Sequence, residues 1–177
     1  MTVSALFLRA DQVERRFCIA ANAAARRRAL RALFRSVSRL GDGVLWYALM
    51  AGLPLALGAS GLRLSLQMLV TGAIGLACYK LLKRKLVRER PFVGLVGVEC
   101  AMPPLDRYSF PSGHTLHAVM FTALVVPSVP ELAIVLIPFT MLVAASRVVL
   151  GLHYPSDVLA GAALGGALAT LSNYVVA

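Results

Sequence analysis

From Gly43 to Ser60 the chain carries no charged side chain, and comparably apolar runs follow at Leu64–Leu82, Leu132–Val149 and Val158–Ala177. Each is about the length at which a helix crosses ~30 Å of hydrocarbon while satisfying its own backbone hydrogen bonds. The residue set AVILMFWYC makes up 59% of the 177 residues and charged residues only 15%. An ordinary soluble domain holds about 45–50% apolar residues even counting glycine. These runs predict an all-α fold, a polytopic transmembrane helix bundle. A shorter run from Thr115 to Val126, ended by Pro127 and Pro130, brings the count to about five spans and leaves no length for a separate soluble module.

Residues 1–40 read differently and form a basic N-terminal segment ahead of a single transmembrane domain at 41–177. Nine arginines lie between Arg9 and Arg39 and interrupt every stretch that could serve as the apolar core of a secretory signal. Arg28, Arg31, Arg35 and Arg39 fall on one helical face, with Leu30, Leu33, Phe34 and Val37 on another. This pattern predicts an interfacial amphipathic helix bound to anionic headgroups, with a solvated basic tail as the alternative. Ser38 to Gly43 then reads as a turn, and Trp46 and Tyr47 stand where aromatic rings favour the headgroup region. The net charge of +10 would suggest nucleic acid in a soluble chain; beside these spans it points to anionic lipid.

Alternating the spans across a bilayer places four positions on one face: the end of the second span, the start of the third, the end of the fourth and the start of the fifth. They carry Lys83, Arg88, Arg90, Ser112, His114, Arg147, His153 and Asp157. Ionisable groups at such depth are costly unless they serve a site. Lys83, Arg90 and Arg147 make an anion pocket, and the guanidinium fork suits phosphate oxygens. Ser112 can cap the third span, whose first N–H groups near Gly113 add donors and a helix dipole. His153 and Asp157 stand four apart around Pro155, a first-turn proline, so the carboxylate can orient the imidazole as a nucleophile while His114 could protonate a leaving oxygen.

Other readings of the same residues are weaker. His117, three after His114, points into an apolar run and reads as structural, as does Ser146. His114, His117, His153 and Asp157 suffice in number for a metal, but no HExxH or second acidic ligand appears and the cations would repel a divalent ion. Cys18, Cys78 and Cys100 show neither a CxxC pair nor a disulfide framework. No metal or other cofactor is therefore expected. Gly161 and Gly165, four apart in the last span, allow a close helix contact within the bundle.

Lys83 with six residues before Arg90-Pro91, then Pro111-Ser112-Gly113-His114, then Ser146-Arg147 with five residues before His153 and three before Asp157, resembles the three-part signature of the type 2 phosphatidic acid phosphatase superfamily. The resemblance covers residues 83 to 157. It implies a metal-independent lipid phosphatase working through a phosphohistidine, with His153 the nucleophile, Asp157 its orienting partner and His114 the general acid. Lys83, Arg90, Ser112, Gly113 and Arg147 would hold the phosphoryl oxygens. Larger bacterial relatives have six spans rather than five. Vanadate haloperoxidases share such a pocket, but in soluble proteins.

The resemblance also implies a bacterial inner-membrane enzyme whose substrate is a lipid phosphate or diphosphate, such as phosphatidylglycerol phosphate or undecaprenyl diphosphate. A phosphotransferase would share every motif, whereas a lipid-phosphate binder or translocator has little use for an oriented nucleophile. Every lysine and arginine except Arg63 falls on the site face or in the N-terminal arm, so the positive-inside rule favours a cytoplasmic site. A periplasmic site is the alternative that many relatives suggest. Oligomeric state is not legible in the sequence.

Overall fold

A computed structural model describes residues 3–176, with side chains from Gln12 onward. Helix α1 (Val3–Ala23) leads through a short 3-10 turn into α2 (Arg28–Arg39), and α3 (Leu45–Leu57) follows. Then come α4 (Ala59–Lys85), the short α5 (Pro91–Gly94), α6 (Gly113–Val125), α7 (Ala133–Val149) and α8 (Pro155–Val176). No strand occurs among the described residues.

Four stretches are long and apolar enough to cross a membrane: Arg28–Leu57, Ala59–Lys85, Pro130–Val149 and Pro155–Val176. The fifth expected span is the shorter apolar helix Gly113–Val125. Large apolar side chains such as Leu66 and Val70 on α4, Ile134 and Met141 on α7, and Leu159 and Leu171 on α8 face outward. In water such a surface would drive aggregation; in lipid it is the solvated face. The chain is an integral membrane protein.

Helix α6 is short because it is the inner one. Leu116, Ala118, Met120, Phe121, Leu124 and Val125 are all buried, and the longer helices surround them. It lies closest to α8, where Gly161 and Gly165 let the backbones meet: a Cβ on Gly161 would come within 2.5 Å of the Ser112 carbonyl oxygen, and one on Gly165 within 2.3 Å of that of Leu116. The expected small-residue contact thus joins two helices of the same bundle. Helix α7 runs unbroken through Pro138.

Two local expectations are corrected. Ser38 to Gly43 is no turn between separate elements: α2 passes into α3 through one wide helical turn at Leu40–Val44, kinked at Gly43, whose φ of 133° is open to glycine. Trp46 is not a headgroup anchor. It is 1% exposed, packs against Phe121 and Phe139 at centroid distances of 5.3 and 5.9 Å, and donates from Nε1 to the Gly41 carbonyl. The indole braces the kink; Tyr47, one residue on, is the exposed ring.

The N-terminal segment packs onto the bundle. Asn22 of α1 donates to the carbonyls of Glu99 and Val149 and accepts from the Glu99 amide. Cys18 and Ala25 are buried beneath the same surface, and burial pushes the Cys18 thiol up to about 12. On α2, Arg31 pairs with Glu99 at 3.0 Å and Arg35 donates to the Ala101 carbonyl, so the basic face predicted to bind lipid also ties down the loop after α5.

Candidate active site

The kinked turn before α3, helices α3, α4 and α6, the end of α7 and the loops that carry Arg90 and His153 enclose a cavity of about 320 Å³. Its polar end is lined by Lys83, Arg90, Gly113, His114, Arg147 and His153, and its apolar wall by Trp46, Met50, Met68, Leu69, Leu76 and Phe121. These six polar-end residues come from five different segments, so the site exists only when the bundle is assembled.

His153 lies in the tight connection between α7 and α8, where its amide and that of Leu152 both donate to the Arg147 carbonyl. The ring is 2% exposed, with Nε2 3.3 Å from Arg90 Nη1 and Nδ1 3.7 Å from Asp157 Oδ2. Burial lowers its basicity well below that of a free imidazole, and the Arg147, Arg90 and Lys83 charges add to the effect. Asp157 sits in the first turn of α8, as Pro155 leads one to expect, and accepts from the Tyr154 amide at 2.8 Å and from Arg88 at 2.7 Å.

Arg90 donates to the Leu152 carbonyl at 2.7 Å and to Asp106 Oδ1 at 2.6 Å, and Lys83 Nζ reaches the same oxygen at 2.6 Å. Burial would raise the Asp106 carboxyl, but Lys83 and Arg90 outweigh it and hold it below the usual carboxylate range. Arg147 is fully buried; its Nη1 donates to Ser38 Oγ on α2, while its Nε finds no acceptor in the protein.

Ser112 caps α6, its Oγ accepting from Thr115 N at 3.5 Å and lying 3.0 Å from Thr115 Oγ1, and its own amide donates to the Asp157 carbonyl. The hydroxyl is thereby turned along the helix, away from the cavity, whereas Gly113 lines it. The first-turn backbone N–H groups at Gly113 and His114 are further donors available to an anion at this point. His114 Nε2 stands 3.3 Å from Asp42 Oδ1 without the alignment of a hydrogen bond. His117 lies between the carbonyls of Gly113 and Gly72, at 2.9 and 3.3 Å, and so bridges α6 to α4 while lining the cavity.

The fold therefore brings together Lys83, Arg90, Gly113, His114, Arg147 and His153 around one cavity, with Ser112 and Asp157 immediately behind it. Sequence reasoning missed the acids. Asp106 lies between the second and third spans in a stretch that carries no motif, and Asp42 lies in the expected turn, yet both line the cavity. Glu14 and Ser38, which hold Arg88 and Arg147, lie in the N-terminal segment, which the sequence reading assigns to the membrane surface and not to the site. No pattern of spacing announces them; each is brought to the site by a tertiary contact.

Among the described residues no group of histidine, cysteine, aspartate and glutamate is arranged to hold a metal ion. What the arrangement can hold is an anion: three cationic side chains and a helix N-terminus face two imidazoles across a cavity that continues into an apolar slot. Such a cavity offers polar contacts for a charged group at one end and apolar contacts at the other.

The fold and the sequence both match known proteins. The chain is similar to the first transmembrane PAP2-type phosphatidylglycerolphosphate phosphatase from Bacillus subtilis, with a TM-score of 0.75 at 25% identity over 94% of this chain and 86% of that one. Its fold is also that of Aquifex aeolicus LpxE, with a TM-score of 0.77 at 23% identity over 89% and 92% of the two chains. In sequence it is 33% identical to the decaprenylphosphoryl-5-phosphoribose phosphatase of Mycobacterium tuberculosis over 147 residues, 80% of this chain and 77% of that protein. A shorter match, 39% identical over 69 residues, joins it to the lipid A 1-phosphatase of Rhizobium etli, covering 39% of this chain and 30% of that one. Residues 61–177, which include Lys83, Arg90, Arg147 and the three histidines of the cavity, match the PAP2 superfamily, and the chain belongs to that family.

Proposed function

We propose that the protein is a membrane lipid phosphatase that removes the terminal phosphate of a lipid phosphate or diphosphate through a phosphohistidine on His153. The observation that carries this reading is a pair of buried polar atoms, His114 Nε2 and Arg147 Nε, that belong to residues around one cavity and find no hydrogen-bond partner in the protein. Buried cationic and imidazole nitrogens are costly unless a ligand completes them, and a phosphoryl group beside them would supply acceptors.

In the first step His153 Nε2 forms a bond to phosphorus as the bond from phosphorus to the lipid oxygen breaks, and His114 gives that oxygen its proton. Asp157 holds Nδ1 and stabilises the charge that the ring gains. In the second step water attacks the phosphohistidine, His114 takes its proton, and phosphate leaves with His153 restored. Lys83, Arg90, Arg147 and the amides at Gly113 and His114 stabilise the equatorial oxygens throughout, with Ser112 fixing those amides in place. No step calls for a metal, so activity is expected to survive EDTA.

The apolar wall from Trp46 to Phe121 supports a lipid substrate, and the similarity to a phosphatase named for a decaprenylphosphoryl sugar phosphate adds a polyprenyl-linked phosphate to the two substrates already favoured. The site is assigned to the cytoplasmic face of a bacterial inner membrane, with the basic faces of the N-terminal arm on anionic headgroups. In a Cys18→Ser, Cys78→Ser background the exposed Cys100 reports sidedness directly. Its labelling by an impermeant maleimide in intact cells would place the site outside.

The decisive experiment is phosphate release in detergent with EDTA, comparing phosphatidylglycerol phosphate, undecaprenyl diphosphate and a polyprenyl-linked sugar phosphate, with His153→Ala as the blank. Turnover of one lipid, lost in His153→Ala, is the expected result. Transfer of the phosphoryl group to a lipid acceptor in place of water would recast the protein as a phosphotransferase. Undiminished turnover by His153→Ala would remove the phosphohistidine.

A further inference from the structure

Helix α1 lies outside residues 61–177, the stretch that matches the family. One of its side chains nevertheless reaches the back of the site. Glu14 Oε1 accepts from the Ser156 amide at 2.7 Å, and its Oε2 accepts from Arg88 Nη2 at 2.8 Å. Ser156 is in the first turn of α8, so Glu14 caps from another helix a donor that has no partner within its own. The other edge of the Arg88 fork donates from Nη1 to Ser156 Oγ at 2.6 Å and to Asp157 Oδ1 at 2.7 Å. The guanidinium lies 4.0 Å over the Tyr154 ring, which fixes its plane.

These contacts form a chain of alternating charge that ends on an imidazole: Glu14, Arg88, Asp157, His153. The two members nearest the cavity are sealed, Asp157 being 0% and the His153 side chain 2% exposed, while Arg88 is 30% and Glu14 15% exposed. Arg88 has two carboxylates on its two edges. With Glu14 neutral or absent, Arg88 loses the partner on its outer edge and rests on Ser156, Asp157 and the Tyr154 ring alone, so Asp157 Oδ1 is held less firmly while Oδ2 faces His153 Nδ1.

From this geometry we infer that Glu14 is a positioning residue of the reaction, setting the tautomer and orientation of His153 through Arg88 and Asp157. The N-terminal helix is then part of the catalytic apparatus and more than a membrane anchor. This inference rests on the proposed role of His153 for its effect on turnover, while its effect on the imidazole is independent of any substrate.

Docking of α1 and positioning of Asp157 are separable, because α1 is held independently by the three hydrogen bonds of Asn22 and by buried Cys18. Other groups that face His153 come from other elements and stay in place: Lys83 on α4, His114 on α6, Arg147 on α7, and Arg90 and Asp106 from the segment between α4 and α6.

The test uses the full chain in detergent micelles with selectively 15N-labelled histidine, since only His114, His117 and His153 then give signals. Expected for the wild type is a His153 ring with its proton fixed on Nδ1. Glu14→Gln is expected to yield mixed tautomers at His153 and about a 10-fold loss in kcat with KM unchanged, as for other groups that act through a first-contact ligand. Asn22→Ala, which loosens α1 without touching the chain, is expected to leave the His153 signals in place. Should Glu14→Gln fold poorly, Arg88→Lys keeps the charge but spans only one carboxylate, and the same mixed tautomers are expected.

Unchanged His153 nitrogen signals in both Glu14→Gln and Arg88→Lys would overturn the inference and leave Glu14 as a docking contact. A tautomer change in Asn22→Ala equal to that in Glu14→Gln would do the same. If the wild type hydrolyses no lipid phosphate, the proposed function fails, and the nitrogen spectra still decide the role of Glu14.

Discussion

Gly161→Ala tests how closely the chemistry depends on one backbone contact. The added Cβ would sit 2.5 Å from the Ser112 carbonyl oxygen, where ordinary contact begins at 3.4 Å, and the obstacle is backbone rather than a mobile side chain. The start of α6 must therefore retreat from α8 by roughly 0.9 Å, carrying the Gly113 amide and His114 with it. A displacement of about 1 Å in a positioned group costs on the order of 10²-fold in rate, while overpacking costs about 1–3 kcal/mol of stability. Phosphate release and thermal unfolding are measured together on the same preparation. Gly165→Ala is the deeper control: its Cβ meets the Leu116 carbonyl at 2.3 Å, one turn from the cradle, so it should destabilise at least as much and slow turnover less. Gly166→Ala meets nothing within 4 Å and should alter neither. Turnover by Gly161→Ala within a factor of about three of wild type, despite a lowered melting temperature, would refute the reasoning, because the cradle would then be indifferent to the contact that seats it.

Three further outcomes follow from the charges. Asp106 bridges Lys83 and Arg90 but its side chain is 37% exposed, so Asp106→Asn should release a screened interaction of about 1 kcal/mol and tighten vanadate binding by roughly fivefold; weaker binding would mean that Asp106 organises the two cations rather than competing for them. His153 is held neutral by burial and by Arg147, Arg90 and Lys83, so its contribution to stability is complete above about pH 6.5 and is lost as the pH falls toward its depressed folded value. Melting curves between pH 7.5 and 5.5 should drop more steeply for wild type than for His153→Asn, with the difference approaching about 1.4 kcal/mol per pH unit; parallel curves would contradict it. The Cys18 thiol, pushed up to about 12 and buried, should resist maleimide under conditions that label Cys100, and equal rates would show that α1 leaves the bundle.

How much of this could be read from the sequence depends on whether a residue's role is set locally. The spans were legible because hydropathy alone decides what enters a bilayer, and α8 begins at Pro155 because a proline there lacks the N–H that a helix start does not use. The convergence of Lys83, Arg90, His114, Arg147 and His153 was legible too, since alternating spans can bring their ends to only two faces. Trp46 misled for a physical reason: an indole near a span end satisfies the headgroup pattern, but the kink at Gly43 turns it inward against Phe121 and Phe139. Asp42, Asp106 and Glu14 could not be found by period or spacing, because each joins the site through a turn or helix whose position is fixed only by packing.

Those acids change the electrostatic account of the pocket. Read from the motifs, it holds three cations and wants an anion of comparable charge. In the folded chain Asp106 already lies between Lys83 and Arg90, and Asp42 stands beside His114. Arg147 is the cation left without a carboxylate in contact, fully buried, with its Nε unpaired. An arriving phosphate monoester would find its strongest uncompensated partner there, between the two imidazoles and next to the first turn of α6. Arg147 is therefore the side chain whose loss should most weaken phosphate capture. Arg147→Lys should not restore it, because a compact ammonium cannot reach both Ser38 and the phosphate as a guanidinium fork can. Phosphate-competitive inhibition by vanadate, weakened more by Arg147→Lys than by Lys83→Arg, is the expected order. The reverse order would put the principal anion contact back on Lys83 and make Asp106 a partner that yields to substrate.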